Sequence, residues 1–96
     1  MENEINLNLI EPILKAGNVE FAGIFGSFAR GESKSASDVD ILVRFSKPAS
    51  LLGIIRLEKM ISEKIGRVVD LVTEDSLSPF IKEEVLHDLK PFYEKR

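Results

Sequence analysis

The chain has 96 residues, of which 44% are hydrophobic and 30% charged, and these proportions are ordinary for a folded domain and argue against disorder. Its net charge of −3 and its pI near 5.2 argue against strong nucleic-acid binding, which normally needs an excess of Lys and Arg. The absence of cysteine excludes disulfides and thiolate metal sites, and one histidine is too few for a typical zinc site. We therefore expect a single domain over residues 1–96.

No segment of the sequence has the pattern of a targeting or membrane-spanning element. Residues 1–8 are rich in acidic and amide side chains, where a signal peptide begins with basic residues and continues with apolar ones. No apolar run approaches the roughly 20 residues that a membrane-spanning helix needs. We therefore expect a cytoplasmic protein that does not enter membranes.

The first quarter of the chain predicts a helix, a strand and a short helical turn. Apolar residues at helical spacing predict a first helix that ends near Ala16–Gly17 and starts only a few residues before Pro12. Val19 to Phe25 is an apolar, β-favouring run, which predicts a strand that stops at Gly26. A short helical turn is expected over Ser27 to Gly31.

The clearest strand of the sequence is Asp38 to Phe45, which follows a small and polar loop over residues 32–37. Side chains alternate between the two faces of a strand. One face of this strand is therefore predicted to carry Val39, Ile41, Val43 and Phe45, and the other to carry Asp38, Asp40 and Leu42.

The second half of the chain continues the alternation of helices and strands. Apolar residues at helical spacing predict a long helix from Leu51 to Ile65, which Gly66 caps. Arg67 to Thr73 predicts a third strand, and Ser78–Pro79 predicts the start of a last helix that ends near Pro91. The predicted fold class is α/β (α+β), with a small sheet covered by helices. Chain order alone leaves the strand directions open.

A glycine–serine pair stands where the first strand meets the helical turn. Backbone N–H groups at the start of a helix bind phosphate readily. Gly26 allows the backbone to come close to a ligand, and Ser27 adds a hydroxyl group. A Gly-Ser turn after a strand also occurs often as a purely structural feature, and that alternative stays open here.

Asp38 and Asp40 lie two residues apart on the predicted strand, so both carboxylates face the same side and repel each other. A divalent cation would offset this repulsion, and hard oxygen ligands suit Mg²⁺. The alternative is that both acids belong to a sheet face that is exposed to solvent.

Asp70 interrupts an otherwise apolar strand, Val68 to Val72. An unpaired carboxylate is costly to bury, so it needs a metal, a partner or water. An ion pair with a Lys or Arg is the simpler explanation. If the strand of Asp70 neighbours the strand of Asp38, all three acids converge on one cleft, which is typical of a two-metal site for phosphoryl transfer.

Two stretches of the sequence, Gly26 to Glu32 (GSFARGE) and Ser37 to Val43 (SDVDILV), closely resemble the signature of the DNA polymerase β-like nucleotidyltransferase superfamily. They are most similar to its minimal nucleotidyltransferase branch, the antitoxins that are paired with HEPN-domain ribonuclease toxins. With Asp70, the likeness extends over most of the chain. It implies a small mixed β-sheet packed by helices, as in the polymerase β-like nucleotidyltransferase fold.

The resemblance also implies a role for each matching residue. Gly26 and Ser27 would hold the nucleoside triphosphate, and Arg30 would contact phosphate, although an ion pair between Arg30 and Glu32 or an Asp is an equal alternative. Asp70 would in addition orient or deprotonate the acceptor hydroxyl group. The implied ligands of Mg²⁺, as two ions, are Asp38, Asp40 and Asp70.

Members of this branch are thought to transfer AMP from ATP to a tyrosine of the toxin, so the expected partner is a HEPN-domain toxin. Two alternatives remain: an antitoxin that neutralises its toxin by binding alone, and a nucleotidyltransferase that acts on a small molecule or RNA. The aromatic residues Phe80, Phe92 and Tyr93 are candidates for a partner interface, with core packing as the alternative.

Overall fold

The computed structural model describes residues 6–31 and 38–95, so the predicted loop over residues 32–37 lies outside the described residues. The elements follow in chain order as a 3₁₀ turn η1 (Leu7–Ile10), α1 (Glu11–Ala16), β1 (Val19–Phe25), α2 (Gly26–Ala29), β2 (Val39–Phe45), α3 (Leu51–Ile65), β3 (Val69–Thr73), a second 3₁₀ turn η2 (Glu74–Ser76), α4 (Pro79–Asp88) and β4 (Lys90–Glu94).

The strands form one four-stranded sheet in the order β3-β2-β1-β4. β1 runs antiparallel to both β2 and β4, whereas β2 and β3 are parallel. A parallel pair needs a crossover connection, and α3 supplies it between β2 and β3. The predicted fold class, a small mixed sheet packed by helices, is confirmed.

One face of the sheet carries the main hydrophobic core. The predicted inward residues of β2 are buried there, beside residues of β1 and β3 that share their register. The 3₁₀ turn η1 and the helices α1 and α3 cover this face and so remove its apolar side chains from water. The core residues of the three strands and these helices include Ala22, Ile24, Val39, Ile41, Val43, Val69, Leu71, Ile10, Leu14, Leu57 and Ile61.

The opposite face of the sheet, which carries Asp40, is covered in part by α4. α4 contacts β1, and its residue Val85 is buried. A Cβ atom at Gly23 would lie 2.7 Å from Leu89 Cδ1, so the absence of a side chain at Gly23 lets the end of α4 approach the sheet. Leu42, the register partner of Gly23, is also buried on this face.

The ends of α3 lie where the sequence predicted them. Ser50 caps the N-terminus by accepting a hydrogen bond from Gly53 N, and Gly66 ends the helix with φ +72°. With 15 residues α3 is long, yet no helix in the described part of the chain is both long and apolar enough to cross a membrane. β3 begins at Val69, two residues later than predicted.

The prediction for the end of the chain was partly wrong. Ser78 and Pro79 do start the last helix, but α4 ends at Asp88 and residues 90–94 form the edge strand β4. Proline has no N–H group and also favours an extended residue before it, so Pro91 fits an edge strand. The exposed fraction of Phe80 is 95%, which rules out core packing for this residue, whereas Phe92 and Tyr93 pack against the core.

Candidate active site

Asp40 and Asp70 are direct neighbours across the parallel strands β2 and β3. Paired residues of adjacent strands have Cα atoms roughly 5 Å apart and point to the same face. The sequence predicted a common cleft for the acids if the strand of Asp70 lay beside the strand of the other two. The structure places these strands side by side. The side chain of Asp70 is exposed, so water relieves the cost of burial that the apolar sequence around it suggested.

Asp38 lies one residue before β2, and its negative charge acts on Asp40. Burial raises the pKa of Asp40 above its ordinary value, and the negative charges of Asp70 and Asp38 raise this pKa further, while Arg30 lowers it. The three acids thus lie close enough to disfavour the ionisation of the central one. A divalent cation among them would relieve this repulsion.

The turn after β1 lies against the same acids. Gly26 has φ +76°, a conformation that glycine adopts without the steric cost borne by other residues. A Cβ atom at this position would collide with the Oδ2 atom of Asp40. Glycine at position 26 therefore allows the start of α2, with the half-buried Ser27, to come into contact with the central carboxylate.

Arg30, the C-cap of α2, forms an ion pair with Asp88 at the end of α4, with 2.6 Å between Arg30 NH1 and Asp88 Oδ2. This hydrogen bond is the main cause that lowers the pKa of Asp88. An ion pair between Arg30 and an aspartate was one of the alternatives left open by the sequence, and the other partner, Glu32, lies outside the described residues. Asp88 carries no local sequence signal for this contact, because no local pattern joins residues 58 positions apart.

Arg67 is a second cation near α2, and its place there was not predicted from the sequence. Its guanidinium carbon lies 5.5 Å from the centre of the Phe28 ring, in a cation–π contact. Arg67 comes two residues before β3, and the N–H of Val39 donates to the carbonyl of Val68 next to it. The sequence signal that could have identified Arg67 is its position, as a basic residue shortly before the strand that carries Asp70.

The donor set suits a hard cation that keeps part of its own water shell. Among residues 6–31 and 38–95, no three acidic or histidine side chains are gathered tightly enough to hold a metal by themselves. Mg²⁺ is usually held by one or two carboxylates together with water and substrate phosphates. Asp40 and Asp70, with Asp38 nearby and the Gly26 turn alongside, fit this partial kind of site.

A cavity of about 510 Å³ lies at the other end of the sheet, where β2 and β3 finish. Phe45, Lys47, Ile54 and Asp75 are among the residues that line it, and none of the three acids does. The acids instead occupy a surface of the sheet that is open to solvent at Asp38 and Asp70.

Comparison with known proteins places these features in a family context. Residues 8–96 match the family described as polymerase beta, nucleotidyltransferase. The protein adenylyltransferase MntA of Thermococcus cleftensis is 42% identical over 93 residues, which cover 88% of this chain and 94% of that protein. A protein of Methanocaldococcus jannaschii that is provisionally named a protein adenylyltransferase is 44% identical over 86 residues, 90% of this chain and 91% of that protein.

Solved structures agree with the fold. A structure provisionally described as a minimal nucleotidyltransferase matches with a TM-score of 0.78 at 33% identity, over 88% of this chain and 87% of that one. A toxin–antitoxin structure with AMP-PNP matches with a TM-score of 0.82 at 23% identity, over 96% and 76%. The complex of a tri-AMPylated Shewanella oneidensis HEPN toxin with an MNT antitoxin matches with a TM-score of 0.71 at 22% identity, over 99% and 74%. Identities of 22% and 23% bear on the fold alone.

Proposed function

The chain belongs to the polymerase β nucleotidyltransferase family, and we propose that it acts as an adenylyltransferase on a protein partner. The reaction transfers AMP from ATP to a tyrosine hydroxyl of a HEPN-domain toxin and so inactivates the toxin. The observation that carries this proposal is the shared sheet face of Asp40 and Asp70, with Asp38 and the Gly26 turn beside it. The protein adenylyltransferase MntA of Thermococcus cleftensis, which is 42% identical to this chain, supports the same activity.

The acids are the proposed ligands of two Mg²⁺ ions, which would stabilise the attacking and leaving oxygens of the transfer. Asp40 is the central ligand because it is half-buried between the other two acids and the turn. Asp38 and Asp70 are more exposed, so they can bind a cation and still leave room for the substrates.

Asp70 is also the proposed base. The tyrosine oxygen bonds to the α-phosphorus of ATP, the bond between this phosphorus and the oxygen bridging to the β-phosphate breaks, and pyrophosphate leaves. The hydroxyl proton passes to the Asp70 carboxylate, which is exposed to solvent and therefore accessible to a side chain of another protein.

Gly26 and Ser27 are the proposed contacts of the triphosphate. The start of α2 lies against the Asp40 carboxylate at Gly26, so a phosphate chain bound by the backbone N–H groups and the Ser27 hydroxyl of this turn would lie beside the acids. Arg30 is proposed to add positive charge at this point. Its ion pair with Asp88 holds its guanidinium group in place.

The test is intact-protein mass spectrometry of the HEPN toxin after incubation with this chain, ATP and Mg²⁺. Wild-type chain should add mass to the toxin in steps of one AMP, and Asp40→Asn and Asp38→Asn should abolish the gain. Asp75→Asn is the matched control, because Asp75 is an exposed acid in η2, beyond the opposite end of β3 from the site. It should transfer AMP at the wild-type rate.

Each other outcome has a definite meaning. Full transfer by Asp40→Asn would contradict the proposed metal ligands. A stable complex with the toxin, with no mass gain, would instead identify an antitoxin that acts by binding. A gain that appears on RNA or a small molecule and not on the toxin would replace the proposed acceptor.

A further inference from the structure

β3 carries Asp70 at the edge of the sheet, where β2 is its one neighbouring strand within residues 6–31 and 38–95. In a parallel strand, alternate residues direct their backbone groups away from the neighbour. On β3 the outward N–H groups of Val69 and Leu71 donate to side chains of α3. Val69 N lies 3.0 Å from Ser62 Oγ, and Leu71 N lies 2.7 Å from Glu58 Oε2.

The spacings of the helix and of the strand match. Glu58 and Ser62 are four residues apart on α3, which separates them by about 6 Å along the helix axis. Val69 and Leu71 are two residues apart on β3, about 6.6 Å along the strand. Because Glu58 pairs with the later strand residue and Ser62 with the earlier one, α3 runs antiparallel to β3. This direction is the one that a β2–α3–β3 crossover requires.

The two hydrogen bonds flank Asp70 on both sides, at the residue before it and the residue after it. We infer that Glu58 and Ser62 are positioning residues, which hold β3 so that Asp70 stays opposite Asp40. This inference rests on the proposed function, in which both acids bind metal.

The physical reason is that an edge strand has no second neighbour to hold its register. A slip of one residue would turn Asp70 to the opposite face of the sheet, and a small outward shift would separate it from Asp40. The hydrogen bond from Leu71 to Glu58 is charge-assisted and half-buried, and bonds of this type are stronger than those between neutral groups. The same contacts also cover the free edge of β3, which would otherwise invite pairing with another chain.

The experiment uses the full chain without its partner and has two readouts. Amide hydrogen exchange of Val69 and Leu71, followed by NMR in metal-free buffer, reports the two hydrogen bonds. Electron paramagnetic resonance of free Mn²⁺ measures the affinity of the acids for a divalent cation and does not depend on catalysis. The variants are Glu58→Ala, Glu58→Gln, Ser62→Ala and the control Glu63→Ala, an exposed acid on the same helix.

We expect Glu58→Ala to speed exchange at Leu71 by roughly tenfold or more and Ser62→Ala to do the same at Val69. Both should weaken Mn²⁺ binding by about 10–100-fold, as is usual when a group that orients a metal ligand is lost. Glu58→Gln keeps an oxygen acceptor but loses the charge, so it should fall between wild type and Glu58→Ala, and Glu63→Ala should match wild type. If Glu58→Ala does not fold, Ser62→Ala and Glu58→Gln decide the question.

Wild-type Mn²⁺ affinity in Glu58→Ala and Ser62→Ala, together with faster exchange, would overturn the inference and leave the proposed function intact. Equal loss of affinity in Glu58→Gln and Glu58→Ala would also overturn it, because the charge and not the hydrogen bond would then be responsible. Absence of Mn²⁺ binding by the wild-type chain would overturn the proposed metal site itself, and the inference with it.

Discussion

Gly26 and Gly66 have nearly the same φ angle, +76° and +72°, but different surroundings. A Cβ atom at Gly66 would meet no atom within 4 Å, whereas a Cβ atom at Gly26 would collide with the carboxylate of Asp40. Gly66 is therefore needed only for its backbone conformation, which caps the helix. Gly26 is needed for its backbone conformation and also because a side chain there would keep the turn away from Asp40.

This contrast predicts different outcomes for Gly26→Ala and Gly66→Ala. Gly66→Ala should lose about 1–2 kcal/mol in the free energy of unfolding, because alanine is strained at this φ value. Gly26→Ala should lose more stability than this and also lose AMP transfer, since Asp40 must move. Urea unfolding and the mass-spectrometric transfer assay measure the two effects. Equal losses of stability, with full transfer by Gly26→Ala, would show that the turn and Asp40 are not in contact.

Asp40 should make the metal-free protein less stable as the pH rises. Its pKa in the folded chain is raised above the ordinary 3.8, first by burial and then by Asp70 and Asp38. The folded state therefore keeps a proton that the unfolded state has released, and stability falls as pH rises from about 3.8 through the raised value. Asp40→Asn should thus have a higher Tm than wild type at pH 7 in EDTA.

The difference in Tm between Asp40→Asn and wild type should shrink as the pH is lowered towards 3.8. Thermal unfolding at a series of pH values checks this profile, with Asp75→Asn as the control. A difference in Tm that grows on acidification would contradict the assigned environment of Asp40.

At the scale of elements, the ion pair between Arg30 and Asp88 ties the turn of α2 to the end of α4. The pKa of Asp88 is lowered by its hydrogen bond with Arg30, so its stabilising effect is present above the ordinary value of 3.8 and is lost as the pH falls through the lowered value. Asp88→Asn should therefore lower the Tm at pH 7, and the difference from wild type should vanish in acid.

Thermal unfolding of Asp88→Asn over pH and salt concentration tests this ion pair, and Glu84→Gln on the exposed surface of α4 is the control. Added salt should reduce the effect because the guanidinium side chain is partly exposed. The pH profile is opposite in sign to that of Asp40→Asn, so the two variants check each other. An unchanged Tm at pH 7 would mean that the ion pair adds nothing to the docking of α4.

At the scale of the whole molecule, the tyrosine that accepts AMP in the proposed reaction must belong to another molecule. Tyr93 is the one tyrosine of the sequence, and it lies in β4 opposite Ala22. Ala22 faces the main core, so Tyr93 points to the face of the sheet away from Asp40. The chain cannot bring its own tyrosine to its own acids without unfolding β4.

We therefore expect no AMP on Tyr93 when the chain is incubated alone with ATP and Mg²⁺. Intact-mass analysis of this chain, in parallel with the toxin experiment, checks the prediction, and Tyr93→Phe is the control. A mass gain on the wild-type chain that disappears in Tyr93→Phe would contradict the placement of Tyr93.

Several features could be predicted from the sequence alone, because they depend on local physical chemistry. The bounds of β1 follow from an apolar run that stops at a glycine. The start of α3 at Leu51 follows from the helical spacing of apolar residues, and its end follows from Gly66, which caps the helix. The spacing of Asp38 and Asp40 predicted a common face because side chains alternate along any strand. These features depend on neighbours a few residues away, and the family motif Gly26 to Val43 lies within the same short range.

Only the tertiary structure decided which distant residues meet. The parallel pairing of β2 with β3 places Asp70 beside Asp40, and the pairing of residues 90–94 with β1 turned a predicted helix end into a strand. The contacts of Arg30 with Asp88 and of Glu58 with Leu71 likewise join separate elements. Strand pairing and ion pairs of this kind depend on how the whole sheet assembles, and a polar residue in the sequence does not specify which partner it will meet.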